Sequence, residues 1–304
     1  MDRQKVLAIV GPTGIGKTSL SVWLAKQLDG EIISCDSMQV YKKMDIGTAK
    51  VTREEMQGIH HELIDVQNYN EPYNVKVFQE RCRTAIEDVV KRGKFPILCG
   101  GTGLYLKAAL YDYEFQEENE DIAYTTFLNS KTNEELVAML KEKDEKALEK
   151  IHPNNRKRLI RALQICHSGT SKSEQEDKQQ HIPLYDVYFL GLDVNRDILH
   201  DRINKRVDIM FENGLVKEVE DLFTNPETWE YTSFQGIGYK EFKDYFLKEK
   251  SIDEVKTAIK THSRQYAKRQ YTWFKNQMPV HWFEAQNRDE IYSAVKEWLM
   301  DEDK

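Results

Sequence analysis

The chain has 304 residues, 40% hydrophobic and 31% charged, with a formal net charge of −7; this describes a soluble globular protein with one substantial core and room for a second, smaller unit. The negative balance argues against non-specific binding of nucleic acid by the whole surface, and no window approaches the run of about eighteen apolar residues that a membrane helix requires. Cys35, Cys82, Cys99 and Cys166 form no C-x-x-C pair, so they read as small buried side chains and suggest neither a zinc site nor disulfides.

Met1-Asp-Arg-Gln-Lys5 runs straight into an apolar strand with no signal-peptide pattern, and the protein is expected in the cytoplasm. The strand, Val6–Val10, leads into Gly11-Pro12-Thr13-Gly14-Ile15-Gly16-Lys17-Thr18, which fits G-x-x-x-x-G-K-[ST], and then into a helical pattern over Ser19–Leu28. Strand, glycine loop and helix in that order cradle phosphates: backbone N–H groups turn inward and the helix presents its positive end. Lys17 adds a mobile charge, and Thr18 a hydroxyl for a phosphate-bound Mg²⁺. The loop is expected to bind a di- or triphosphate.

Glu31–Asp36 reads as a second strand ending in an acid, followed by Ser37-Met38-Gln39-Val-Tyr41. At the carboxyl end of a parallel strand Asp36 would face the glycine loop, which favours a catalytic role over a helix N-cap. Lys42–Lys50 is basic, contains glycine and reads as a mobile loop, for substrate or merely on the surface. Asn74–Lys91 is an amphipathic helix. Phe95–Cys99 is a buried strand opening into Gly100-Gly101-Thr102-Gly103, where small residues permit close approach to a ligand or simply a tight turn.

From about Tyr111 to Pro183 the chain turns polar. Glu114–Asp121 reads as an acidic connector, Asn133–Lys150 as a charged helix, Pro153 onward as another helix carrying Arg156, Lys157, Arg158 and Arg161, and Ser168–Gln180 as a flexible loop. The expected organisation is an α/β core over 1–113, a helical insertion over 114–184 and a resumed core over 185–304. Asp186–Val194 is a late core strand. The helix after it, Asn195–Phe211, carries Arg196, Arg202, Lys205 and Arg206, suited to a phosphate-clamping lid or to a solvated basic face. Asp253–Lys275 is a long helix with Lys256, Lys260, Arg264 and Lys268 at four-residue intervals and aromatics between them, a pattern that suits a nucleic-acid backbone. Val280–Phe283 and Arg288–Met300 close the chain as a strand and a helix.

A hydrolysing P-loop enzyme carries an acid at the end of a second core strand, beside its Mg²⁺. Here that strand ends Cys99-Gly-Gly-Thr102, and Asp36 stands where an acceptor would be gripped. Six blocks, Gly11–Thr18, Asp36–Tyr41, Met44–Lys50, Gly100–Tyr105, Pro153-Asn-Asn with Arg161-Ala-Leu163, and Ser263–Gln270 with Trp273-Phe-Lys275, occur in the order found in the tRNA dimethylallyltransferases (tRNA isopentenyltransferases). Across nearly its whole length the chain resembles the bacterial type of that family and lacks the zinc finger of eukaryotic relatives.

The resemblance implies a P-loop NTPase-like α/β core with a helical insertion. It also implies transfer of a dimethylallyl group from dimethylallyl pyrophosphate to N6 of the adenosine 3′-adjacent to the anticodon, in tRNAs reading codons that begin with U. On that basis Gly11 through Thr18 grip the pyrophosphate, Thr18 holds Mg²⁺, Asp36 is the catalytic base, Thr102 stands at the reaction centre and Arg206 clamps the departing pyrophosphate. Asp36, Ser37, Met38, Gln39 and Thr102 would meet the target nucleotide, while Lys157, Arg158, Leu159, Ile160, Arg161, Arg264 and Lys268 would meet the anticodon stem-loop. A monomer is expected. Where the family usually reads Pro-His-His-Leu-Ile-Asp, this chain has His60-His61-Glu62-Leu63-Ile64-Asp65, so the histidine pair reads as core or surface; Lys43 and Val51 replace a usual glycine and proline. The competing expectations are a small-molecule P-loop kinase of the nucleoside-monophosphate type and a non-enzymatic RNA-binding module.

Overall fold

Unbroken apolar runs, buried on both faces, build the centre of a parallel sheet. In a computed structural model that describes residues 3–115, 121–174 and 181–301, strand β1 (Lys5–Val10) has Val6 through Val10 fully buried. It is flanked by β4 (Phe95–Gly100) and β5 (Asp186–Asp193). With β2 (Gly30–Ser34), β3 (His61–Glu62) and β6 (His281–Glu284) the order is β3-β2-β4-β1-β5-β6, every pair parallel. Because β4 returns between β2 and β1 while β5 goes to the far side, the order reverses there, and loops leaving β1 and β4 open a crevice at their carboxyl ends.

The helices of this first unit are α1 (Lys17–Leu28), α2 (Arg53–Met56), α3 (Val75–Lys91) and α4 (Gly103–Leu110). A second group of helices, α5 (Ile122–Asn129), α6 (Asn133–Asp144) and α7 (Arg156–His167), forms a separate unit. The first unit then resumes with α8 (Arg196–Glu212), α9 (Leu215–Leu222), α10 (Lys243–Phe246), α11 (Ile252–Gln277) and α12 (Arg288–Met300). Local chemistry sets several starts: the Asn74 side chain accepts from the N–H groups of Lys76 and Val77 ahead of α3, and Ser251 and Glu254 make a capping box ahead of α11.

The two units are Met1–Tyr111 with Pro183–Lys304, and Asp112–Ile182. The sequence reading puts the insertion at 114–184; backbone pairing of Tyr111 with Pro183 and of Leu184 with Leu110 draws both ends two residues earlier. Leu128, Leu136, Leu140, Leu159 and Leu163 form the smaller unit's own core. Asn133–Lys150 is not one helix: buried Asp144 ends α6, its carboxylate accepting from the N–H of Ala147 and from the N–H and hydroxyl of Ser173, and a 3₁₀ turn follows. Ser173 is thereby fixed within the stretch Ser168–Gln180 expected to be flexible. The remainder of that stretch, 175–180, and most of the acidic connector, 116–120, lie outside the described residues.

Lys42–Lys50 departs furthest from expectation. It is a fixed loop: buried Lys50 places its ammonium 2.6 Å from both Asp45 and Asp65 and 2.7 Å from the Tyr41 carbonyl, and the Thr48 hydroxyl donates to Met44 O. Between α8 and α11 lies a stretch without motifs, organised by buried Trp229, Phe234, Tyr239 and Phe242.

α11 packs on α8 and lies across the turn that follows β4. Two glycines make this possible: a Cβ at Gly101 would run into the Gln270 amide, and one at Gly103 into the Trp273 ring. Gly103→Ala is expected to destabilise the fold by about 1–3 kcal/mol, the usual range for forcing an extra carbon into a packed site. Urea unfolding checks this, and an unchanged midpoint would contradict the docking.

Candidate active site

The glycine loop turns as its residue types require. Gly11, Gly14 and Gly16 adopt φ of 143°, 81° and 104°, conformations that cost an L side chain energy, and Gly16 delivers the chain into α1 without any side-chain cap. The free N–H groups at the start of α1 are left for an anion. Ile15 is buried and anchors the loop from beneath. Lys17 Nζ is turned back onto the loop, donating to Gly11 O at 3.0 Å and Pro12 O at 2.8 Å. Burial pulls its pKa down to about 8; Cys99 and Asp36 oppose that fall, and Arg206 adds to it.

Arg206, expected to clamp phosphate, does reach the loop: from α8 its guanidinium donates to the Thr13 hydroxyl at 3.1 Å. Burial pushes its pKa down while the charge of Asp36 pushes it up. Arg202, one turn earlier, points at Ile15 O at 3.5 Å. Two arginines of this helix, Arg202 and Arg206, thus stand against the glycine loop.

Asp36 lies two residues past the end of β2, and one carboxylate oxygen accepts from the N–H of Met38 at 2.8 Å and of Gln39 at 3.3 Å. This is a local turn and caps no helix, since the next helix, α2, starts only at Arg53; the N-cap alternative therefore does not describe it, and the carboxylate's charge is felt by Lys17, Arg206 and Tyr266. Thr102 precedes α4 without capping it by its side chain, so its hydroxyl is not spent on the helix end. The hydroxyl of Tyr266, from α11, lies against the side chains of Thr102 and Gln270, and burial raises its pKa to about 12. Phosphate cradle, carboxylate and hydroxyls thus share one side of the sheet's carboxyl edge.

Residue-type reasoning missed Gln270 and Tyr266. Gln270, 6% exposed, accepts from Thr13 N–H through Oε1 and donates to Gly101 O through Nε2, each at 2.9 Å. One amide therefore joins the loops that follow β1 and β4. Gly101 and Gly103 serve this approach by α11, with Gln270 and Trp273 as their tightest neighbours, while Gly100 is kept small by the backbone of Cys35 after β2.

The basic rod is largely a packed seam. Lys256 and Lys260 pair with Asp208 of α8 at 2.7 and 2.6 Å, and Arg264 donates to Asn204 at 2.5 Å and Thr261 at 3.1 Å. Arg264 is thereby half-buried against α8, while Lys268 and Arg269 remain exposed, Arg269 standing over the Tyr266 ring. On α7, Lys157, Arg158 and Arg161 are exposed, but Leu159 is fully buried in the smaller unit's core and Ile160 packs against it, so neither side chain is presented as expected. Ser37, Met38 and Gln39 are half-buried beside Asp36, with Met38 against Gly236. His61 is half-buried, its Nδ1 bonded to Ile59 O; His60 pairs with Glu62 at the surface.

Oxygen donors suited to a hard divalent cation are present: the Thr18 hydroxyl in the first turn of α1 and the Asp36 carboxylate, beside a cradle that would add phosphate oxygens. Among the described residues Glu31, His60 and Glu62 also group their ligand atoms, but Arg92 bonds both carboxylates and occupies that corner.

Comparison with known proteins gives a consistent set. The family model described as IPP transferase matches residues 39–277. A protein of Bacillus anthracis named tRNA dimethylallyltransferase is 49% identical over 97% of this chain and 96% of its own. The full-length tRNA isopentenylpyrophosphate transferase of Bacillus halodurans superposes with a TM-score of 0.75 at 41% identity, over 98% of this chain and 97% of that one. A eukaryotic dimethylallyltransferase crystallised acting on tRNA superposes at 0.81 with 31% identity, over 98% and 78%.

The lowered pKa of Lys17 makes anion binding pH-dependent. Below pH 8 the ammonium is charged and binds; above it the free protein loses the proton. A diphosphate monoester, ionised above its last pKa of about 6, is expected to bind up to tenfold more weakly per pH unit between pH 8 and 9. Isothermal titration of the parent and of Lys17→Met checks this, the variant giving weak binding and a flat profile. A folded-state pKa below the ordinary 10.5 also means that charged Lys17 opposes folding, so the variant should melt no lower than the parent at pH 7.

Proposed function

The chain belongs to the IPP transferase family, and from that premise we propose that it moves a dimethylallyl group from dimethylallyl pyrophosphate to N6 of the adenosine 3′-adjacent to the anticodon, in tRNAs reading codons that begin with U. The observation that carries this is the convergence of a carboxylate with a phosphate cradle: Asp36 lies within electrostatic reach of both Lys17 and Arg206. β4 ends in Cys99-Gly100 with no acid there, and Asp36, the carboxylate that both Lys17 and Arg206 feel, stands on the acceptor's side, which disfavours the kinase reading.

The step breaks the bond between C1 of the donor and its bridging oxygen and forms a bond from C1 to N6. Adenine N6 is a weak nucleophile because its lone pair is delocalised into the ring. Asp36 takes the N6 proton as attack proceeds, and its second oxygen is available because Met38 and Gln39 engage the first. Charge accumulates on the departing pyrophosphate, and the backbone N–H groups from Gly14 to Thr18, with the side chains of Lys17 and Arg206, stabilise it more in the transition state than before. Lys17, oriented by the carbonyls of Gly11 and Pro12, has a third ammonium N–H to give to a phosphate oxygen. Thr18 would hold Mg²⁺ together with phosphate oxygens, the ion supplying further neutralisation of the leaving group. Thr102 and Tyr266 line the approach of the acceptor. A base must leave its stack to enter, which costs least in a single-stranded loop.

Lys157, Arg158 and Arg161 on α7 and Lys268 on α11 supply exposed charge for the anticodon stem-loop. The protein acts in the cytoplasm as a monomer.

Labelled dimethylallyl pyrophosphate tests the function directly: incorporation into unmodified tRNA without ATP is expected, and ATP turnover without incorporation would support a kinase instead. Asp36→Asn keeps an acceptor for Met38 and Gln39 while removing the base. It should lower transfer by about 10² or more and leave tRNA binding within a few-fold. Lys268→Glu should flatten the salt dependence of tRNA binding, whereas Arg264→Ala should chiefly lower the melting temperature.

A further inference from the structure

Glu218 stands on α9, outside every motif quoted above, and its carboxylate is wrapped by four donors. Oε2 accepts from the N–H groups of Asp45 at 2.8 Å and Ile46 at 2.7 Å; Oε1 accepts from Gly47 N–H at 3.0 Å and the Tyr239 hydroxyl at 2.7 Å. Three consecutive backbone N–H groups turned to one side form an anion nest, and here the protein fills it with its own carboxylate. Tyr239 is fully buried, and its ring lies so close to Gly47 that a Cβ there would stand 2.6 Å away. Glu218 and Tyr239 therefore fix the height and tilt of the loop Asp45–Lys50.

That loop in turn holds the segment beside the carboxylate. The Gln39 amide nitrogen donates to the carbonyls of Ala49 at 3.1 Å and Thr48 at 3.4 Å. Two carbonyls facing one end of the amide determine which end it is: nitrogen must face them, and Oε1 faces away. An amide oxygen presented in this way accepts from an exocyclic amine and repels a carbonyl. Without its carboxylate the nest would hold three N–H groups with no partner, and the loop would relax.

We propose that Glu218 is a positioning residue for acceptor recognition: through the loop 45–49 it fixes the Gln39 amide so that its oxygen is offered to an amino-bearing base. This rests on the reading that Ser37 through Gln39 meet the target nucleotide. The consequence is selective. Glu218 acts on the acceptor half of the site, while the donor half is held by α1, α8 and Gln270.

Steady-state kinetics with an anticodon stem-loop and dimethylallyl pyrophosphate test it. Glu218→Ala should raise KM for the stem-loop about tenfold and leave KM for the donor within about twofold. Glu218→Gln, which keeps the shape and part of the acceptor capacity, should fall between variant and parent. Tyr239→Phe, which removes one donor only, should raise the stem-loop KM about two- to threefold. Binding of stem-loops carrying adenosine or inosine at the target position should show the preference for the amine shrinking in Glu218→Ala. The double variant Glu218→Ala/Gln39→Ala should bind no worse than Gln39→Ala alone, since both act on one amide. Equal rises in both KM values, or additive losses in the double variant, overturn the proposal. So does an unchanged stem-loop KM in Tyr239→Phe and Glu218→Gln, should Glu218→Ala not fold. If Gln39→Ala itself leaves stem-loop KM unchanged, base recognition by that segment fails and the proposal falls with it. A rise for Gln39→Ala without one for Glu218→Ala overturns the role of Glu218 alone.

Discussion

A single buried amide holds the two halves of the catalytic edge together. Gln270 takes an N–H from the loop after β1 and gives one to the carbonyl after β4, so the glycine loop and Thr102 keep a fixed separation that neither strand imposes alone. Leaving either backbone group buried without its partner would cost about 1–3 kcal/mol, and the shape of the crevice would go with it. Gly101 and Gly103 are small because α11 comes down on them; Trp273 and Gln270 occupy the space that side chains would have filled. The site is thus roofed by a helix far along the chain, and Tyr266 enters from that roof.

Electrostatics in this crevice are arranged in opposition. Burial works against the charges of Lys17 and Arg206, while Asp36 supports both. On the proposed reading, a diphosphate would add further negative charge beside these two half-buried cations. Lys17 gives two of its three ammonium N–H groups to the Gly11 and Pro12 carbonyls, which orients the charge on the loop and leaves a donor for an anion. Charged partners at short range in a site shielded from solvent are worth far more than on the surface, which is where catalytic discrimination between ground and transition state arises.

Much of this was legible from residues. The glycine loop, the strands at 95 and 186 and Asp36 at the end of β2 follow from period, glycine placement and the parallel-sheet rule, whereas Arg206 is picked out among the basic residues of α8 only by the family resemblance. What stayed illegible had physical reasons. Gln270 is one polar residue on a helix rich in them, and nothing in spacing distinguishes a surface amide from one that spans two loops. Lys256, Lys260 and Arg264 looked like a basic face because their partners, Asp208 and Asn204, lie on a different helix. Leu159 was carried along with its charged neighbours although helical period places it inward. Lys42–Lys50 looked mobile by composition, while its rigidity comes from Glu218 and Asp65, both distant in sequence. Beyond α9, the stretch leading to α11 is built largely from short 3₁₀ turns and buried aromatics, which offer no helical period to read.

The amide that joins Thr13 to Gln270 spans 257 positions along the chain. During synthesis from the N-terminus the phosphate loop is therefore made early and finished late. Strands β1, β2 and β4 can pair, but their loops have no roof until α11 has left the ribosome, and contacts of such long separation are the slow ones to form. A growing chain carries the phosphate-binding sequence for most of its synthesis without the assembled crevice, so competence to act on tRNA arrives in the last stage of folding.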